Sequence, residues 1–187
     1  GPLRRGTPAM AYDSARGVSV LFGGSVPNFA GPAADTWEWN GTSWALRVVT
    51  SPQSRSGHAM AVSSGALYVA GGVGAGVETT VWRAPLIGNS PSAWSATASL
   101  PEGRTRFSLL AAGGRLFALG GHDGSNARAT VYASSLKPDG TLEAWMEEAS
   151  LPAARTLHGA GAFNDRLILA GGEDGTGPAA ALSAAAL

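Results

Sequence analysis

The sequence predicts an all-β chain of about four four-stranded antiparallel sheets set radially around one axis, a propeller or part of one. Three observations carry this reading. A double glycine recurs at Gly23-Gly24, Gly71-Gly72, Gly120-Gly121 and Gly171-Gly172, spaced 48, 49 and 51 residues apart. Short apolar or aromatic stretches fill each period, four where it is complete, divided by the Gly-, Asn- and Asp-bearing turns that a small twisted sheet needs. The composition is the third: 27 Gly and 11 Pro in 187 residues, with only 14% charged. That suits turns and short strands and not helices, where an interior Gly or Pro costs about 1 or 3 kcal/mol. One such sheet cannot bury both faces alone, and stacking the sheets around an axis supplies the missing surface.

Each unit opens on an arginine. Arg55, Arg104 and Arg155 stand 16 residues before the first glycine of their pair. Arg5 holds the same place if the turn Asp13-Ser-Ala-Arg-Gly17 is two residues longer. A first apolar strand follows, as in His58-Ala-Met-Ala-Val62 and Phe107-Ser-Leu-Leu-Ala111. The second strand runs into the double glycine at 18–22, 66–70, 115–119 and 166–170. After a variable loop comes an aromatic-bearing third strand: Thr36-Trp-Glu-Trp39, Thr80-Val-Trp82 and Thr130-Val-Tyr132, with Leu182 at that place in the fourth unit. Trp44, Trp94 and Trp145 open the fourth strand. The stretch 141–150 has helical propensity, yet it aligns with the fourth strand of the second unit and is read as strand. The chain is thus expected to be one repeat segment, 1–187, with blades near 5–50, 51–100, 101–151 and 152–187, the last without its outer strand.

The order of Arg, then His-Ala, an apolar strand ending in Gly-Gly, then Tyr or Trp and a later Trp, resembles the kelch repeat. The first unit, from Ala9-Met-Ala-Tyr12 through Phe22-Gly-Gly24 to Asp35-Thr-Trp-Glu-Trp39, is similar to bacterial kelch-like repeats. The later units, with Pro138-Asp-Gly-Thr-Leu-Glu-Ala-Trp145 and Leu151-Pro-Ala-Ala-Arg155, resemble a second bacterial subtype. The resemblance implies a kelch-type β-propeller. Pro8 and Phe107 depart from the pattern, standing where His58 and His158 stand in their units. Kelch units normally sit in rings wider than four blades. The expectation is therefore an open arc, completed by another copy of the chain or by further blades of a longer polypeptide.

The repeated residues read as architecture. The double glycines are strand ends needing positive φ or close backbone approach. Gly71-Gly-Val-Gly-Ala-Gly76 does not fit a phosphate-binding fingerprint. The arginines are expected to hydrogen-bond between blades, and the tryptophans to pack blade on blade. His58 and His158 lie two blades apart and are expected to be satisfied structural histidines. Asn40-Gly41-Thr42 fits a glycosylation sequon, but Asn-Gly is also the preferred type I′ turn, which is the reading taken. Glu147-Glu148 and Glu173-Asp174 are adjacent acids whose side chains diverge in a strand.

Function classes narrow by chemistry. Thirteen basic and 13 acidic residues balance to zero, so nothing draws nucleic acid or anionic lipid. No apolar run approaches the ~18 residues of a membrane span, and Gly1 to Arg5 carries no apolar leader. Cys is absent, which removes disulfides and thiolate chemistry and leaves the compartment open, a bacterial secreted, periplasmic or cell-surface setting being favoured. It also excludes the Tyr–Cys copper site of galactose-oxidase-like propellers, while the sialidase box Ser-x-Asp-x-Gly-x-Thr-Trp is missing. No cofactor or metal is expected. The reading is a non-enzymatic scaffold module that presents its loops to a protein or glycan. The alternative is the propeller portion of a carbohydrate-active or oxidase-like enzyme whose catalytic residues lie outside this chain. The loops after the double glycines, at 25–34, 73–78, 122–129 and 173–179, should share one face, where recognition on repeat scaffolds resides. Phe29, His122, Asp123, Glu173 and Asp174 are the contact candidates.

Overall fold

A computed structural model describes residues 1–88, 90–164, 166–179 and 182–186. Among them the chain forms strands and no helix. The first sheet is β1 (Ala9–Asp13), β2 (Val18–Phe22), β3 (Thr36–Trp39) and β4 (Trp44–Arg47), antiparallel and in that spatial order. The second joins β5 (Ala59–Ser63), β6 (Ala66–Ala70) and β7 (Val81–Ile87), on which β8 (Ser90–Pro91) folds back before β9 (Ser95–Thr97) completes the sheet. The third is β10 (Ser108–Ala112), β11 (Arg115–Leu119), β12 (Val131–Ser135) and β13 (Met146–Glu148). The fourth has β14 (Gly159–Phe163), β15 (Arg166–Ala170) and β16 (Leu182–Ala186).

In each sheet the strand that ends in the double glycine is second in order. The first strands stand next to one another, β1 against β5, β5 against β10 and β10 against β14, so they line the axis. Among the described residues the first and fourth sheets do not pack on each other as neighbouring sheets do, and the arc is open. The segment 141–150 contributes β13 and no helical turn, because its register against β12 outweighs its local propensity.

The core lies in the three gaps between sheets. Val20 and Phe22 of the first sheet meet Met60, Leu67, Val69, Ala84 and Trp94 of the second. Tyr68 and Val81 of the second meet Leu109, Leu116, Tyr132 and Trp145 of the third. Phe117, Leu119 and Val131 of the third meet Leu167 and Leu169 of the fourth. Alternation along each strand sends one set of side chains to each neighbouring sheet, which is why these strands read as continuous apolar runs.

Two local readings change. The loop Asn40–Ser43 is not a type I′ turn: only Gly41 has positive φ, and Asn40 Oδ1 accepts the N–H groups of Thr42 and Ser43 at 2.9 Å each. A side-chain oxygen closes this turn instead. The first sheet also holds a buried charge network that apolar periodicity gives no sign of. Arg16 pairs with Asp13 and with Glu38 (2.7 Å), and Arg47 donates to the other Glu38 oxygen at 2.6 Å.

Candidate functional site: the loop face and its axial mouth

The linkers that open the units fix this face. Arg55 Nη1 donates to Gly71 O at 2.8 Å and to Thr80 Oγ1 at 3.0 Å, and Arg155 Nη1 donates to Gly171 O at 3.0 Å. Arg104 Nη1 donates at 2.8 Å to both Gly120 O and Thr130 O, and Arg5 reaches Gly23 O and the Asp35 carboxylate. Each guanidinium thus ties its linker to the double glycine of its own unit. The bond between units is carried by the arginine's carbonyl, which accepts the N–H of the preceding unit's second glycine. Trp94 and Trp145 do bridge sheets: Trp94 lies 5.8 Å from the Phe22 ring, and Trp145 Nε1 donates to Ala98 O at 2.8 Å. Trp44 is half-buried beside Trp39 of its own sheet, ring centroids 5.5 Å apart.

The residue two past each arginine was not singled out by the sequence. Thr7, Gly57, Arg106 and Leu157 all have positive φ, between 44° and 63°. They form a collar in which Gly57 N–H donates to Thr7 O, Arg106 N–H to Gly57 O and Leu157 N–H to Arg106 O, at 2.7 to 3.0 Å. A bulky side chain at φ above zero is uncommon and carries strain. Only Gly57 hinted at it. The collar and the residues that follow it, Pro8, His58, Phe107 and His158, line an open cavity of about 280 Å³ at the mouth of the axis.

His58 and His158 therefore border one cavity, and their ring nitrogens are buried, His58 with only the Phe22 backbone as a weak partner and His158 with no hydrogen-bond partner among the described residues. The expectation of satisfied histidines fails for His158 and is met only weakly at His58. Burial, with Arg55 nearby, pushes His58 down to about 3, and burial with Arg155 pushes His158 down to about 4, so both rings are neutral. A neutral imidazole replaces the Phe107 ring at the same place in the repeat, and His58 meets Phe22 edge-on at 5.3 Å.

The loops after the double glycines share this face. Their first residues, Ser25, Val73, His122 and Glu173, bridge to the linker residues Gly6, Ser56, Thr105 and Thr156, and each loop then closes on itself. Phe29 is exposed and borders a cavity of about 240 Å³ with Leu3, Arg4, Val26, Pro27 and Asn28. His122 Nδ1 accepts the Gly124 N–H at 3.0 Å. Asp123 Oδ1 accepts the Ser125 and Asn126 N–H groups at 2.7 Å while its carboxylate pairs with Arg128; the backbone donors Asn126 and Ser125 lead in holding it at about 2. Asp174 Oδ1 is taken by the Thr176 hydroxyl at 2.6 Å and by the Thr176 and Gly177 N–H groups, which lower its pKa. Glu173 is exposed. The five candidates sit in three separate loops, and among the described residues no hydrogen bond or ion pair joins these side chains across loops. Among the described residues no His, Asp and Glu converge as metal ligands, and no helix is long and apolar enough to cross a membrane. The opposite end of the sheets has its own concavity of about 360 Å³, lined by Ser64, Arg83, Gly114 and residues 136–140.

A stretch of 84 residues is 36% identical to Kelch-like protein 33 of Homo sapiens. It covers 45% of this chain and 15% of that protein. Together with the sheets, this similarity supports kelch repeats in a propeller arrangement. It is a similarity to a human protein and does not bear on a bacterial subtype. No family model matches the chain.

Proposed function

We propose that this chain is a non-enzymatic protein-binding module, a kelch-like propeller segment that engages a protein partner through its loop face. The observation that carries the reading is the pinning of four dissimilar loops to one face, around a strained collar and an open cavity. Rigid scaffold with variable loops is the arrangement in which recognition resides. The face is mixed in chemistry: Phe29 and Leu157 are exposed apolar groups, and the Arg106 side chain is exposed among them. An apolar anchor ringed by polar groups and an arginine is the composition of protein interfaces. Phe29, His122 and Glu173 are the contact groups in this reading. Asp123 and Asp174, whose oxygens their own loops already use, set loop shape.

A photo-crosslinking residue placed singly at 29, 122, 173 and, on the far end, 139 tests this in the protein fraction of cells that make the chain. A specific protein adduct from the three loop positions, lost from 122 and 173 on Phe29→Ala, is the expected result. Adducts from position 139 alone, or retention on glycans with no protein adduct, would overturn it.

A further inference from the structure

Each internal junction between units is built from the same parts. The second glycine of one unit donates to the next unit's arginine carbonyl: Gly24 to Arg55 at 2.9 Å, Gly72 to Arg104 at 2.7 Å and Gly121 to Arg155 at 2.6 Å. A ring three residues further on covers the first glycine. A Cβ at Gly23 would stand 2.9 Å from the His58 ring, and one at Gly120 would stand 3.1 Å from the His158 ring. The inner strands are matched in size. Ala9 and Ala11 face the cluster that holds Met60 and Val62, and Ala59 and Ala61 face Leu109 and Ala111.

The fourth sheet presents one half of such a junction. The Gly172 N–H has no acceptor among the described residues. A Cβ on Gly171 would meet nothing nearer than Ala179 O at 3.9 Å, where the first glycines of the other three pairs meet the next arginine's carbonyl. Gly159 and Gly161, in the places of Ala59 and Ala61, are exposed. The first sheet presents the other half. Met10 and Tyr12 point away from the buried face of β1 and are 51% and 62% exposed, in the places of Met60 and Val62. The Arg5 carbonyl accepts no bond among the described residues, and Pro8 holds the ring position. The smallest receiving pair in the chain lies open at one end and the bulkiest inserting pair at the other.

We infer that the outer face of the fourth sheet is a docking site for a second copy of this chain. Met10 and Tyr12 of one copy seat over Gly159 and Gly161 of the other. The Arg5 carbonyl accepts the Gly172 N–H, and the pyrrolidine of Pro8 covers Gly171. The same contact made at the other pair of ends closes a two-fold ring, since a head-to-tail junction either closes or polymerises. The size match argues for this occupant: Gly159 with Gly161 is the smallest receiving pair and Met10 with Tyr12 the bulkiest inserting pair.

Sedimentation equilibrium of the chain and two variants tests this. Gly171→Ala fills the socket at a position with free space in the single chain, at the left-handed backbone cost that its φ of +66° sets, and Met10→Glu with Tyr12→Glu charges side chains that are exposed there. The expected mass is twice 18.8 kDa for the unaltered chain, falling to 18.8 kDa for both variants, each with an unchanged far-UV circular dichroism spectrum. A single-chain mass for the unaltered protein at micromolar concentration would overturn the inference. So would a dimer that survives both variants, or a ladder of higher masses.

Discussion

His58 and His158 occupy buried sites that offer their nitrogens little, and Phe107 in the same place of the third unit shows what the site accepts. The sign of the consequence is fixed. In the unfolded chain imidazole titrates near 6.5. Burial holds the folded rings at about 3 and about 4. The stability that depends on their neutral form is fully present above about pH 6.5 and drains away as pH falls toward the folded values, by about 1 kcal/mol per pH unit per histidine. The double variant His58→Phe, His158→Phe is therefore expected to lose less stability between pH 7 and pH 5 than the parent in urea unfolding, by about 4 kcal/mol. Parallel pH profiles would contradict the burial argument. The buried arginines were legible at this scale because Arg55, Arg104 and Arg155 repeat at a fixed distance from a glycine pair. Their bonding was not, since a sequence spacing does not tell whether the guanidinium or the carbonyl of the same residue crosses to the next unit. The Asp13, Arg16, Glu38 and Arg47 network occurs only in the first sheet, so repetition could not reveal it.

At the scale of elements, the double glycine is a joint between a strand and the next linker. A Cβ at Gly120 would stand 2.6 Å from the Arg155 carbonyl oxygen, and φ there is +58°. Gly65, in the β5–β6 turn, has φ +68° with no heavy atom within 4 Å of the same construction. Both substitutions to Ala meet the left-handed cost of about 1–2 kcal/mol. Gly120→Ala must also separate the third and fourth sheets. It is expected to lower the urea midpoint well beyond Gly65→Ala, whereas equal losses would show that conformation alone explains the glycines. Strand order and the place of each double glycine were legible, because β2, β6, β11 and β15 are apolar runs punctuated at one period. The β7–β8 hairpin was not, because the third unit folds back at the same place, Leu136 bridging Leu142, through a connection of different length. The collar was hidden for a different reason. Thr7, Arg106 and Leu157 share a backbone conformation and no side-chain chemistry, and only Gly57 is a residue type associated with positive φ.

At the scale of the molecule, three internal junctions share one hydrogen bond, from the second glycine of each unit to the next arginine carbonyl. These bonds hold the sheets in an arc and bring the loops to a common face. Variable loops show where recognition belongs, but a single sequence does not show which side chains remain free once the loop has used them, as Asp123 and Asp174 illustrate. Amide hydrogen exchange of the glycines, read residue by residue by NMR, tests the junctions directly. The N–H groups of Gly24, Gly72 and Gly121 are expected to be strongly protected, because opening them means parting two sheets. Gly124 and Gly175, in exposed loops, are expected to exchange fast. If Gly24, Gly72 and Gly121 exchanged as freely as Gly124, the sheets would not be joined as described.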